Sequence, residues 1–137
     1  PISCHYLWTG TEHLVVYVED VEDVDVGLWG PRLRNDAALS PNGANINFVE
    51  VSDKGDEAGL TVRTFEKGVE AETLACGTGS IASSLVTALS RRSDARRFAI
   101  HMPGGVLHVG FEGTAEDPQG LYLEGPAESI YRGSLEM

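Results

Sequence analysis

Basic residues are scarce in this chain of 137 residues: ten Lys and Arg stand against 21 Asp and Glu, a formal net charge of -11. A surface of that sign repels phosphate backbones and anionic headgroups, so neither nucleic acid nor membrane is an expected partner. Arg91, Arg92, Arg96 and Arg97 lie close together, but near an expected helix end, where cations complement the terminal carbonyls; they are given no functional role. Cysteine is scarcer still. Cys4 and Cys76 are the only two, in no paired spacing of the kind that metal sites and small disulfide frameworks use, which implies no metal and fits a reducing cytoplasm. No apolar run approaches the ~20 residues of a membrane span, and no basic-then-apolar leader opens the chain. An initiator methionine is missing as well, since residue 1 is proline, the expectation for a fragment or a trimmed chain. Repeats, low-complexity tracts and linker-like shifts in composition are absent, so one domain over residues 1–137 is expected.

What is present suffices for a core. At 42% hydrophobic and 23% charged residues, the composition is that of an ordinary globular protein, and a domain of this size buries roughly two-thirds of its unfolded surface. β-branched and alternating runs predict strands over Leu14–Val18, Ala44–Val51 and Leu60–Phe65, the last two joined as a hairpin by a turn at Asp53-Lys54-Gly55-Asp56. Val21–Leu33 carries Val21, Val24 and Leu28 at helical spacing behind acidic residues, and reads as a short helix interrupted near Gly30-Pro31. Gly79–Arg92 is the longest helical candidate, with Ile81, Leu85, Val86 and Leu89 on one face and small residues that permit close packing. Phe98–Met102, Val106–Phe111 and Leu121–Glu124 follow as a meander, separated by Pro103-Gly104-Gly105 and by the polar stretch Gly113–Gly120. The sum is an α+β fold: a curved, mainly antiparallel sheet wrapped around a central helix.

The segment Thr73-Leu74-Ala75-Cys76-Gly77-Thr78-Gly79 places Cys76 where a strand gives way to that helix. The first N–H groups of a helix have no internal partner and carry partial positive charge, so they lower a thiol pKa and bind anions. Gly77 and Gly79 leave those groups approachable, and Thr78 adds a hydroxyl. Position alone leaves two readings open, a reactive thiol facing a small anionic substrate or a buried cysteine beside glycines chosen for backbone shape. His13, Asn45 and the Glu66-Lys67 pair lie at element boundaries. Singly, each is also what a backbone-bonding or solvated residue looks like.

The order of these segments resembles the diaminopimelate epimerase family, specifically its C-terminal half. Arg63-Thr64-Phe65-Glu66-Lys67-Gly68 followed by Glu72-Thr73-Leu74-Ala75-Cys76-Gly77-Thr78-Gly79 is close to that family's main pattern. Gly10-Thr11-Glu12-His13, Ala44-Asn45-Ile46, Pro103-Gly104-Gly105 and Glu124-Gly125-Pro126-Ala127 extend the likeness over nearly the whole chain. The resemblance implies one half of a two-domain fold, with cofactor-independent interconversion of LL- and meso-diaminopimelate in lysine biosynthesis. One thiolate takes the α-proton from one face while a thiol delivers a proton to the other. Carried over, Cys76, Glu66 and His13 are catalytic, and Asn45, Glu66, Lys67, Gly77 and Thr78 bind the amino-acid substrate.

Three departures stand out. Lys67 replaces an arginine and cannot make the same bidentate fork to a carboxylate. Thr11 and Glu12 replace Asn and Pro, adding a negative charge near an anionic ligand. Only one glycine-flanked cysteine is here, Cys4 reading as a strand cysteine, so the partner is a missing N-terminal half or a second copy of the chain. The competing expectations are a cofactor-free racemase of another small amino acid, since proline racemases share the Cys-Gly-Thr-Gly element, and a non-catalytic domain of the same fold.

Overall fold

The computed structural model describes residues 3–52, 58–91 and 93–136. In chain order they form β1 His5–Trp8, β2 Glu12–Tyr17, α1 Val26–Arg34, a 3-10 turn Ala37–Leu39, β3 Asn45–Ser52, β4 Ala58–Glu66, β5 Ala71–Thr73, α2 Gly77–Ser90, β6 Arg97–Met102, β7 Gly105–Gly113 and β8 Pro118–Glu124. The strands make one sheet in the order β1-β2-β3-β4-β6-β7-β8, with β5 on β4. Pairing is antiparallel except between β2 and β3 and between β4 and β6. The edge of β4 away from β3 is divided: Ala58–Thr61 pair with β6, and Thr64–Glu66 pair with β5.

Alternation along the strands sorts side chains onto two faces. Val15, Val49, Leu60, Val62, Phe98, Ile100 and Val109 point to α2 and form the larger core with Ala82, Leu85 and Val86. Leu14, Val16, Ile46, Phe48 and Phe65 point the other way and pack with Val26 of α1. Strands β1, β2, β3, β4 and β7 all touch α2, whereas α1 lies on β3, β4 and β5. The sheet therefore curls around α2, as the composition of that helix allows: small residues bring the strands close. Three of its buried hydroxyls are satisfied within the helix, Ser80 donating to the Cys76 carbonyl (2.9 Å), Ser84 to Ser80 (2.9 Å) and Thr87 to Ser83 (2.7 Å), whereas the buried Ser83 hydroxyl has no hydrogen-bond partner among the described residues.

The expected α+β class, the curved sheet, the central helix and the β6–β8 meander are all observed. Several local expectations are corrected. Helix α1 starts at Val26 because the Asp25 carboxylate caps it by accepting the Leu28 N–H (3.0 Å). It also continues through Pro31 to Arg34, and Gly30 lets the helix lie directly on the Phe65 ring. Cys4 is exposed and precedes β1 rather than lying in a strand. Arg96 belongs to no helix end: it donates to the Gly113 carbonyl (2.7 Å) and lies over the Phe111 ring. The expected turn at 53–56 and Arg92 fall outside the described residues. Strands β1 and β5 were not expected, because each is too short to show a period.

Candidate functional site

Cys76 is the N-cap residue of α2, with extended backbone (φ -136°, ψ 108°). The first intrahelical bond runs from the Ser80 N–H to the Cys76 carbonyl (2.9 Å). The N–H groups of Gly77, Thr78 and Gly79 are therefore left without helical acceptors at the positive end of the helix. Cys76 is 9% exposed as a residue, and its sulfur is 3.7 Å from the Thr78 hydroxyl.

Thr78 is tied to the β1–β2 connection from two sides. Its carbonyl accepts the Thr9 hydroxyl (3.0 Å), and its own hydroxyl is 2.9 Å from His13 Nε2. Gly10 permits the tight turn between those strands, with φ +97° in the region that favours glycine. His13 is fully buried on the α2 face of β2. Its other ring nitrogen is 3.1 Å from Asn47 Nδ2, and the side-chain oxygen of Asn47, Oδ1, accepts the Thr64 hydroxyl (3.0 Å). Burial, then the nearby Lys67 ammonium, push the His13 pKa from 6.5 down to about 4, Glu12 opposing; the imidazole is neutral at physiological pH.

A second group forms where β2, β3 and β4 end together. His13 pairs in register with Asn45, and extending the Ile46–Phe65 pair by one residue sets Glu66 opposite Asn45. Asn45 bridges these ends, donating to the Glu12 carbonyl (3.0 Å) and accepting the Lys67 N–H (2.8 Å). The Lys67 ammonium is paired with the Glu12 carboxylate, and this contact is the main reason that carboxylate is held down at about 2. The Glu66 side chain is half-buried; among the described residues it makes no hydrogen bond.

Cys76, Thr78 and His13 are thus joined in one chain of contacts. Asn45, Lys67 and Glu12 form an adjoining cluster, with Glu66 alongside. The space at Gly79 is taken by the protein itself: a Cβ there would stand 2.4 Å from Asn47 Oδ1 and 3.2 Å from the Cys76 sulfur. At Gly77 a Cβ would meet Leu123 at 2.8 Å. Sequence reasoning missed Thr9, Asn47 and Thr64. The available signal was the pair Asn45 and Asn47, two polar residues on a face of β3 that continues with Val49 and Val51. The arrangement suits a small anion held at the helix start with a sulfur beside it.

The fold is shared with a phenazine biosynthesis protein of the PhzF family from Enterococcus faecalis, whose crystal structure aligns over 74% of this chain and 34% of its own with a TM-score of 0.56 at 15% identity. At that identity the likeness concerns architecture alone. The sequence is more specific, because residues 5–130 match the family model for diaminopimelate epimerase, and the chain belongs to that family. The diaminopimelate epimerase of Chlorobaculum tepidum is 38% identical over 98% of this chain and 51% of its own length. That of Methanocella arvoryzae is 39% identical over 94% of this chain and 42% of its own. The chain spans about half the length of these relatives.

Proposed function

We propose that this chain supplies one half of a cofactor-independent diaminopimelate epimerase site, with Cys76 one of two thiols that exchange the α-proton. The observation that carries the reading is the placement of Cys76 as the N-cap residue of α2, next in the chain to three N–H groups without helical acceptors, its side chain making no capping hydrogen bond, in a chain of this family. The N–H groups of Gly77 and Thr78 hold the reacting carboxylate, and the same partial charge favours the thiolate. Binding the carboxylate there withdraws electron density from the α-carbon and sets its hydrogen toward the sulfur. The thiolate removes that proton, and a thiol on the opposite face returns another.

Asn45, Glu66 and Lys67 hold the substrate's remaining polar groups, and His13 and Glu66 flank the reacting centre. The second thiol and the covering wall come from a partner half. Exposed apolar side chains next to the helix start support that part of the reading: Leu74 lies two residues before Cys76, and Leu123 beside Gly77. Combining this chain with the N-terminal half of a related epimerase and following release of the substrate α-proton to solvent tests the proposal. Exchange that needs both halves and Cys76 is the expected outcome. No exchange with both halves folded overturns it.

A further inference from the structure

The hydrogen bonds behind Cys76 have a direction, and it is set at their far end. The Leu14 carbonyl can only accept, so the Asn47 atom 3.1 Å from it is the amide nitrogen. The amide oxygen then faces the Thr64 hydroxyl, which donates to it at 3.0 Å. The same Asn47 nitrogen lies 3.1 Å from His13 Nδ1. One of its two hydrogens serves Leu14 and the other points at the ring, so Nδ1 has to be the bare nitrogen. A neutral imidazole then carries its proton on Nε2, which donates to Thr78 Oγ1 at 2.9 Å. The hydroxyl hydrogen of Thr78 is left for another acceptor, and the Cys76 sulfur is 3.7 Å away.

We infer that Asn47 is a positioning residue for Cys76: it locks His13 in the Nε2–H tautomer, so that Thr78 turns its hydroxyl hydrogen to the sulfur and stabilises the thiolate. The opposite tautomer sets two N–H groups against each other in a fully buried place and leaves both without an acceptor there. It also turns the Thr78 hydroxyl toward Nε2 and away from sulfur. An imidazolium meets the same obstacle at Nδ1, so His13 conveys polarity along the chain and carries no substrate proton itself. The ionised groups acting on His13, Lys67 and Glu12, are of opposite sign and paired with each other. Gly79 completes the device, because only a residue without a Cβ lets the helix start sit against the Asn47 amide.

The functional meaning of this relay rests on the acid/base role proposed for Cys76, whereas the tautomer does not, and the two can fail separately. In the 15N-labelled chain, long-range proton–nitrogen correlations of His13 at pH 7 are expected to show the Nε2–H pattern. A Nδ1–H pattern overturns the inference. Asn47→Leu, which removes the donor without changing the bulk much, should yield a mixture of tautomers. Alkylation of Cys76 by iodoacetamide, read on its own peptide so that Cys4 does not contribute, should slow about tenfold at pH 7 in Thr78→Val, the sulfur having lost its hydroxyl donor. Thr78→Ser, which keeps the hydroxyl, should restore the rate. Equal rates in Thr78→Val and the unmodified chain overturn the link from His13 to sulfur, whatever the epimerase assay reports.

Discussion

Lys67 and Glu12 are ion-paired across the adjoining ends of β4 and β2, so the cation at the position where an arginine is expected to grip a carboxylate is already compensated within the chain. A bound carboxylate must share Lys67 with Glu12, and a lysine offers no second prong with which to do both.

That pairing makes a first prediction about acid stability. The Glu12 carboxyl is lowered from 4.5 to about 2 in the folded chain, so between those values the unfolded chain binds the proton and the native one does not. The contribution is present above about pH 4.5 and is lost as pH falls toward 2. Urea midpoints should show the unmodified chain and Glu12→Gln converging as pH drops from 5 to 3. A constant difference over that range counts against the pairing.

The buried imidazole gives a second, at higher pH. His13 is lowered from 6.5 to about 4, so over that interval the unfolded state takes up a proton that the native state refuses. Stability should fall with pH by roughly 3 kcal/mol across the window and stop falling from this source below it. An NMR titration checks the assignment directly: the His13 ring signals should stay still from pH 7 to pH 5, and movement centred near 6.5 would exclude a neutral buried ring.

Helix α1 offers a matched pair of glycines. Gly27 is exposed and a Cβ there meets only Asp25 Oδ1 at 3.5 Å, whereas at Gly30 it would stand 2.4 Å from the Phe65 ring. Gly27→Ala should therefore stabilise by about 0.5–1 kcal/mol through helix propensity. Gly30→Ala should destabilise by about 1–3 kcal/mol through overpacking. Thermal melts of the two variants should move in opposite directions.

Arg63 reaches the Glu72 carboxylate with two nitrogens, at 2.7 and 2.8 Å, and gives Nη1 to the carbonyls of Val21 (2.9 Å) and Val24 (3.1 Å). It thereby ties β4 to β5 and to the turn before α1. Arg63→Lys should lose about 1–2 kcal/mol despite keeping its charge, since the fork geometry goes with the guanidinium. A double-mutant cycle with Glu72→Gln should give a coupling of about 0.5–1 kcal/mol, the range for partly exposed pairs. Additive losses would mean that the carbonyl contacts carry the whole effect.

How far the sequence could be read depended on how local the signal was. Strand β3 and helix α2 were legible because eight or more residues repeat one period. The start of α1 was displaced because Val21 and Val24 imitate helical spacing, while the cap at Asp25 is a hydrogen bond that hydropathy does not show. At the site, Cys76, Gly77 and Thr78 were legible from the glycine-flanked helix start. Asn47 was not, because its contacts with His13, Leu14 and Thr64 bridge 34, 33 and 17 residues.

The α+β class, the sheet around a central helix, the family pattern and the cysteine at the helix start are all written in contiguous periods and short motifs. Which side chains meet that cysteine depends on contacts between distant parts of the chain. The parallel pairing of β2 with β3 puts His13 in register beside Asn45, and the curl of the sheet brings Thr78 onto the ring. Hydrogen-bond direction follows from these meetings, since an amide or an imidazole has no defined donor until its partners are in place.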